Sequence, residues 1–101
     1  MSADAPLAIR RSPRARADLL DIWLYIAERN QAAADRVLDE IERVCGVIAA
    51  HPLIGRERPE IAPEIRSFAA MSWVVFYRAF PKQIDIVRVV HGARDLEVLE
   101  F

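Results

Sequence analysis

Apolar residues fall at helical spacing in the first half of the chain and at strand spacing in the second. The short run Leu7-Ala8-Ile9-Arg10 predicts a first strand. Ser12-Pro13 then marks a helix start, with serine as cap and proline at the first helical position. That helix is expected from Pro13 to about Arg29, with Ala15, Leu19, Ile22, Trp23 and Ile26 on one stripe. Leu20, Leu24 and Tyr25 widen the apolar surface beyond that stripe. Such a helix either packs on two sides or keeps an exposed patch for a partner. Asn30 separates it from a second helix, about Ala32 to Ala50. Here the stripe is cleaner: Ala34, Val37, Leu38, Ile41, Val44, Cys45 and Ile48. Arg36 and Glu40, like Asp39 and Arg43, stand four apart on the opposite, solvated face. The short link makes the two helices an antiparallel hairpin, and His51-Pro52 ends the second.

The stretch from Pro52 to Pro63 reads as a loop, rich in proline and carrying Arg56-Glu57-Arg58. Strands are expected at Ile65–Ala69, Trp73–Phe80 and Ile84–His91, joined by turns at Met71-Ser72 and Phe80–Gln83. The order strand, helix, helix, strand, strand, strand predicts an α+β domain. An N-terminal strand and a two-helix hairpin pack on a small, mainly antiparallel sheet. Alternation puts Ile84, Ile86, Arg88 and Val90 on one sheet face and Asp85, Val87, Val89 and His91 on the other. Both faces carry apolar groups while the hairpin covers one, so the second face is expected to expose an apolar–aromatic area edged by arginines. Arg78 and Arg88 are expected to pair with Asp85 or Glu64 across the sheet.

The 101 residues suit a single domain, here residues 1–101, and no repeat divides them. One cysteine excludes an internal disulfide. With no apolar leader and no long apolar run, a soluble cytoplasmic protein without membrane contact is expected. Net charge is −1, which argues against a general nucleic-acid coat. The signs are segregated, however: acids dominate from Asp18 to Glu42 and bases from Arg56 to Arg94. Metal binding is excluded by the spacing of Cys45, His51 and His91, and phosphate-loop and serine-nucleophile motifs are absent. No cofactor is expected. The remaining candidate for chemistry is RNA cleavage. His91 would act as acid or base, and Arg66, Arg78 and Arg94 would hold phosphate.

Several segments, in order, resemble the ParE toxins of the RelE/ParE superfamily. They are Asp18-Leu19-Leu20-Asp21-Ile22-Trp23-Leu24-Tyr25-Ile26 and Ala33-Ala34-Asp35-Arg36 on the helices, and the loop Pro52–Glu60. Ile65-Arg66-Ser67-Phe68, Val74–Arg78 and Ile86–Asp95 follow in the strands. The resemblance covers about Ile9 to Asp95. It implies the two-helix, antiparallel-sheet fold and the toxin of a ParDE-type module, held in a hetero-oligomer by a ParD-like antitoxin that occupies a hydrophobic groove. The ParE branch implies DNA gyrase as target and no direct nucleic-acid contact; the RelE branch implies cleavage of ribosome-bound mRNA. The RelE-like nucleases often carry a tyrosine just past the last strand. This chain has only Tyr25 and Tyr77, and its tail carries Asp95, Glu97 and Glu100. The nuclease reading is therefore second to a protein-binding, non-enzymatic toxin. Antitoxin contact is expected at Trp23, Leu24, Trp73, Phe76 and Arg78, and target contact at Arg56, Arg58 and Arg94.

Overall fold

The computed structural model describes residues 5–92. Seven elements follow in chain order: β1 (Ala8–Arg11), α1 (Pro13–Ala27), α2 (Gln31–Ala50), β2 (Arg56–Glu57), β3 (Arg66–Ala70), β4 (Trp73–Ala79) and β5 (Gln83–His91). The strands form one sheet in the order β1-β5-β4-β3-β2. β1 runs parallel to β5 and every other pair is antiparallel. This is the expected α+β arrangement, with one added strand. β2 has only two residues and pairs Arg56 with Ser67 and Glu57 with Arg66. A pair of charged residues in a proline-rich loop carries no alternation, which is why the sequence shows no strand there.

Both helices start where their caps direct. Ser12 is extended, and its Oγ accepts from the Ala15 N–H at 3.0 Å. Asn30 Oδ1 accepts from the Ala33 N–H at 3.0 Å. Each cap satisfies one of the donors a helix start leaves unpaired. α2 then buries Ala34, Ile41, Val44, Cys45, Ile48 and Ala49 against the sheet, together with Val75, Tyr77, Ile84, Ile86 and Val89.

The second sheet face differs from expectation. It is covered: Ile65, Phe76, Val87 and Val90 form a separate buried cluster, with Ile61, Ala62 and Val74 packed against it. The segment between β2 and β3 supplies the lid. The alternation along β5 also breaks. A β-bulge sits between Phe76 and Tyr77, so Phe76 opposes Arg88 and Tyr77 opposes Ile86. The extra residue on β5 is Val87, and past it the facing of the strand reverses. Ile84, Ile86 and Val89 therefore share the helix-side core, and Val87 and Val90 share the other.

β1 covers β5 only as far as Ile86. Beyond it, the start of α1 takes the place of a neighbouring strand. Ser12 N–H donates to Ile86 O at 2.9 Å, Ser12 Oγ donates to Val87 O at 3.0 Å, and the Val89 N–H donates to Asp18 Oδ2 at 2.9 Å.

Candidate protein-interaction site

α1 is held by little carbon. Only Ala15 and Ile22 are buried, with Leu19 and Ile26 half-buried beside them. A polar latch makes up for it. Asp18 accepts from Arg88 Nε at 2.8 Å and Nη2 at 3.0 Å, as well as from the Val89 N–H. Arg88 is almost wholly buried, so this bidentate pair replaces water on both partners. The expected pairing of Arg88 with Asp85 or Glu64 is thereby corrected: its partner lies seventy residues earlier, on a helix.

The outer arc of α1 carries Leu20 at 58% exposure, Leu24 at 50% and Tyr25 at 75%. At 100° per residue these three share an arc of roughly 140° with Asp21 and Glu28. Trp23 lies at its border, half-buried, with its indole N–H donating to Asp35 Oδ1 of α2 at 2.8 Å. Leu24 is thus available to a partner and Trp23 is tied to the hairpin. Leu20 and Tyr25, which sequence reasoning noted but did not select, are more exposed than either. A recess of about 190 Å³ adjoins this arc, lined by Asp21, Ile22, Tyr25, Trp73, Val89 and His91 among others. Trp73 and His91 meet edge to face there, with ring centroids 5.2 Å apart. Trp73 is half-buried beside the α1 surface.

Phe76 is a correction. It is fully buried in the second-face cluster, with the Arg58 guanidinium 6.0 Å from its ring centre, and it offers no surface to a partner. Arg78 lies half-buried on β4 opposite Asp85, away from the α1 arc.

The loop after α2 is fastened from below. Tyr77, fully buried, donates from its hydroxyl to Pro52 O at 2.8 Å and accepts from the Gly55 N–H at 2.9 Å. Burial pushes its phenol up from the usual value. A Cβ on Gly55 would stand 2.6 Å from that hydroxyl, so only glycine fits. Arg66 donates to Gly55 O at 2.8 Å and Leu53 O at 3.3 Å. Arg58 binds Glu60 at 2.7 Å and Ser67 Oγ at 3.1 Å, and holds the Glu60 carboxyl below its ordinary range. Arg58 and Arg66 thus order the loop, whereas Arg56 is exposed on the edge strand. A cleft of about 320 Å³ opens beside Arg66, between Leu53, Glu57, Glu64 and Ala79.

The nuclease candidates are not brought together. His91 pairs with Trp73 at one end of β4, while Arg66 pairs with Tyr77 four residues further along. At ~3.3 Å per strand residue these positions are ~13 Å apart, and Arg78 is one step further still. Arg94 lies outside the described residues, as does Asp95. Among the described residues no group of histidines, cysteines or carboxylates could hold a metal, and no helix is long and apolar enough to cross a membrane.

Residues 9–96 match the family model described as ParE toxin of type II toxin-antitoxin system, parDE. Toxin ParE1 of Mycobacterium tuberculosis is 38% identical over 88 residues, spanning 85% of this chain and 90% of its own. Toxin RelE3 of Caulobacter vibrioides is 33% identical over 86 residues, spanning 84% and 94%. Among solved structures, a chain of the chromosomal ParDE system from P. aeruginosa superposes with a TM-score of 0.70, at 20% identity, over 84% of this chain and 95% of that one. At that identity the superposition bears on the fold.

Proposed function

The chain belongs to the ParE family of toxins of type II toxin–antitoxin systems, and from that premise we propose that it acts by gripping other proteins: a ParD-like antitoxin on the α1 surface, and DNA gyrase as its target. The observation that carries the antitoxin half is the outer arc of α1, where Leu20, Leu24 and Tyr25 lie in water beside the Trp73–His91 recess. A helix in a small domain exposes such a row when a partner segment covers it. Leu24 is the central anchor, with Trp23 and Trp73 at its margins. What supports the non-enzymatic half is the separation of His91 from Arg66 and Arg78, since acid–base cleavage of RNA needs its groups around one phosphate. Of the three arginines expected at the target, Arg56 is exposed, whereas Arg58 is committed to Glu60 and Ser67.

The test is a supercoiling assay with purified gyrase, relaxed plasmid and the full chain. Supercoiling is expected to fall with toxin dose and to return on adding cognate antitoxin. Undiminished supercoiling at molar excess of toxin overturns the gyrase target. Leu24→Arg is expected to raise the antitoxin needed for neutralisation by about tenfold or more, about 1.4 kcal/mol of binding. The relative named RelE3 favours a second reading, a ribosome-dependent ribonuclease. It predicts cut mRNA in arrested cells with supercoiling intact.

A further inference from the structure

Arg16, Leu20, Leu24 and Glu28 stand four apart and share one ridge of α1. All four are exposed. Glu28 caps the helix in the αR conformation, so it continues the ridge. At 100° per residue, buried Ala15 and Ile22 lie roughly 160–180° away, so the ridge points away from the sheet. From its N-terminal end the ridge runs cation, leucine, leucine, anion. Both charges stand where the helix itself disfavours them. An arginine in the first turn meets the positive end of the helix dipole, and a glutamate at the far end meets the negative one. Neither side chain makes an ion pair among the described residues. The fold of one chain therefore gains nothing from this arrangement of charge.

We propose that this ridge docks on the same ridge of a second copy of the chain, antiparallel, about a two-fold axis level with Ile22. Each residue then meets the one equally far beyond Ile22. Arg16 faces Glu28 of the other copy, Leu20 faces Leu24, and Ala17 faces Ala27. Four leucines fill the centre, the alanines let the helices approach closely, and an unlike-charge pair closes each end. A parallel pair would instead set Arg16 against Arg16 and Glu28 against Glu28. The two copies of Asp21 stand about 80° off the ridge, so they stay roughly an interaxial distance apart, ~8–10 Å. One ridge per copy makes a small interface, under ~1,200 Å² in total, so the dimer is reversible. A two-fold pair also closes on itself, and association stops at two. The free toxin thus shields its leucines with its own twin until antitoxin displaces it. That displacement rests on the antitoxin reading above; the dimer does not.

The experiment is analytical sedimentation of the full chain without antitoxin, from about 1 to about 100 μM. The average mass is expected to rise from one chain towards two and no further. Leu24→Arg should hold it at one. Arg16→Glu sets like charges against each other at both ends of the pair and should raise the dissociation constant about tenfold. Glu28→Arg should do the same. Mixed in equal amounts, these two variants should pair with each other as tightly as the native chain, because both unlike-charge contacts return. Each change suits the helix dipole, so circular dichroism should show the fold intact. Arg36→Glu, exposed on α2, should leave the dimer unchanged. A chain that stays single at about 100 μM overturns the proposal. So does a dimer indifferent to Arg16→Glu, or a mixture no tighter than either variant alone. Neutralisation is read in a separate assay. A toxin that stays single yet is neutralised sinks the dimer alone, and a dimer that antitoxin binds without splitting sinks only the antitoxin's place on α1.

Discussion

The two helices of the hairpin solve the same problem with different materials. α2 buries six residues and points its charges outward, where Arg43 and Glu40 meet at 2.7 Å. α1 buries two, is fastened through Asp18 to a buried arginine, and leaves leucines in water. Carbon holds α2 and charge holds α1. The difference shows which helix belongs to the core and which leaves an apolar arc in solvent. A helix that spent all its apolar residues on its own sheet would have none to offer.

The largest effect should come from breaking the charge that holds α1. Asp18→Asn leaves the Arg88 guanidinium buried without its counter-charge, and chemical denaturation should show a loss of about 4 kcal/mol. A cost near zero would mean that α1 is held by packing after all. Next comes α2. Ile48→Ala removes a fully buried side chain and should cost about 3 kcal/mol, whereas Leu24→Ala on the outer arc of α1 should change the midpoint little. Equal losses would erase the contrast between the helices. The smallest effect appears only at alkaline pH. Burial pushes the Cys45 thiol from 9.0 up to about 11. The unfolded chain therefore releases this proton first, and stability falls as pH rises from about 9 towards 11, by on the order of 1 kcal/mol at pH 10. Cys45→Ala should flatten that limb of the profile. Tyr77, raised in the same direction, keeps part of it.

The contrast is partly legible in the chain. The stripe on α2 predicts its buried face residue by residue, because helical spacing alone decides which side chains share a face. The excess of apolar residues on α1 predicts a patch, yet not which residues are free. Trp23 and Leu24 are neighbours in sequence, and only the position of Asp35 on α2 shows that one is tied and the other open. The reversal at Val87 leaves no trace either. A bulge is one extra residue in a run of β-branched side chains that pattern equally well in either register. Phe76 is misplaced by pattern alone for that reason, and because the Ile61–Ile65 lid comes from a stretch that reads as polar loop. The partner of Arg88 is beyond reach, since the fifteen carboxylate side chains of the chain are chemically equivalent candidates. Loop order shows the same limit: nothing in Gly55 announces that Tyr77 lies beneath it.

The way α1 begins has a bearing on solubility. Above Ile86, among the described residues, Ser12 and Asp18 close the edge of β5 and occupy the hydrogen-bonding groups that another strand would seek. An open edge of this kind is a template for strand addition between molecules. If α1 lifts away, the carbonyl of Val87 and the amide of Val89 are bared in the same motion that uncovers Ile22's side of the core. Loss of the helix and recruitment of a second chain are then one event. Asp18 is in that sense a guard against self-association as much as a latch, and its variants should cloud on heating before they unfold to a soluble coil.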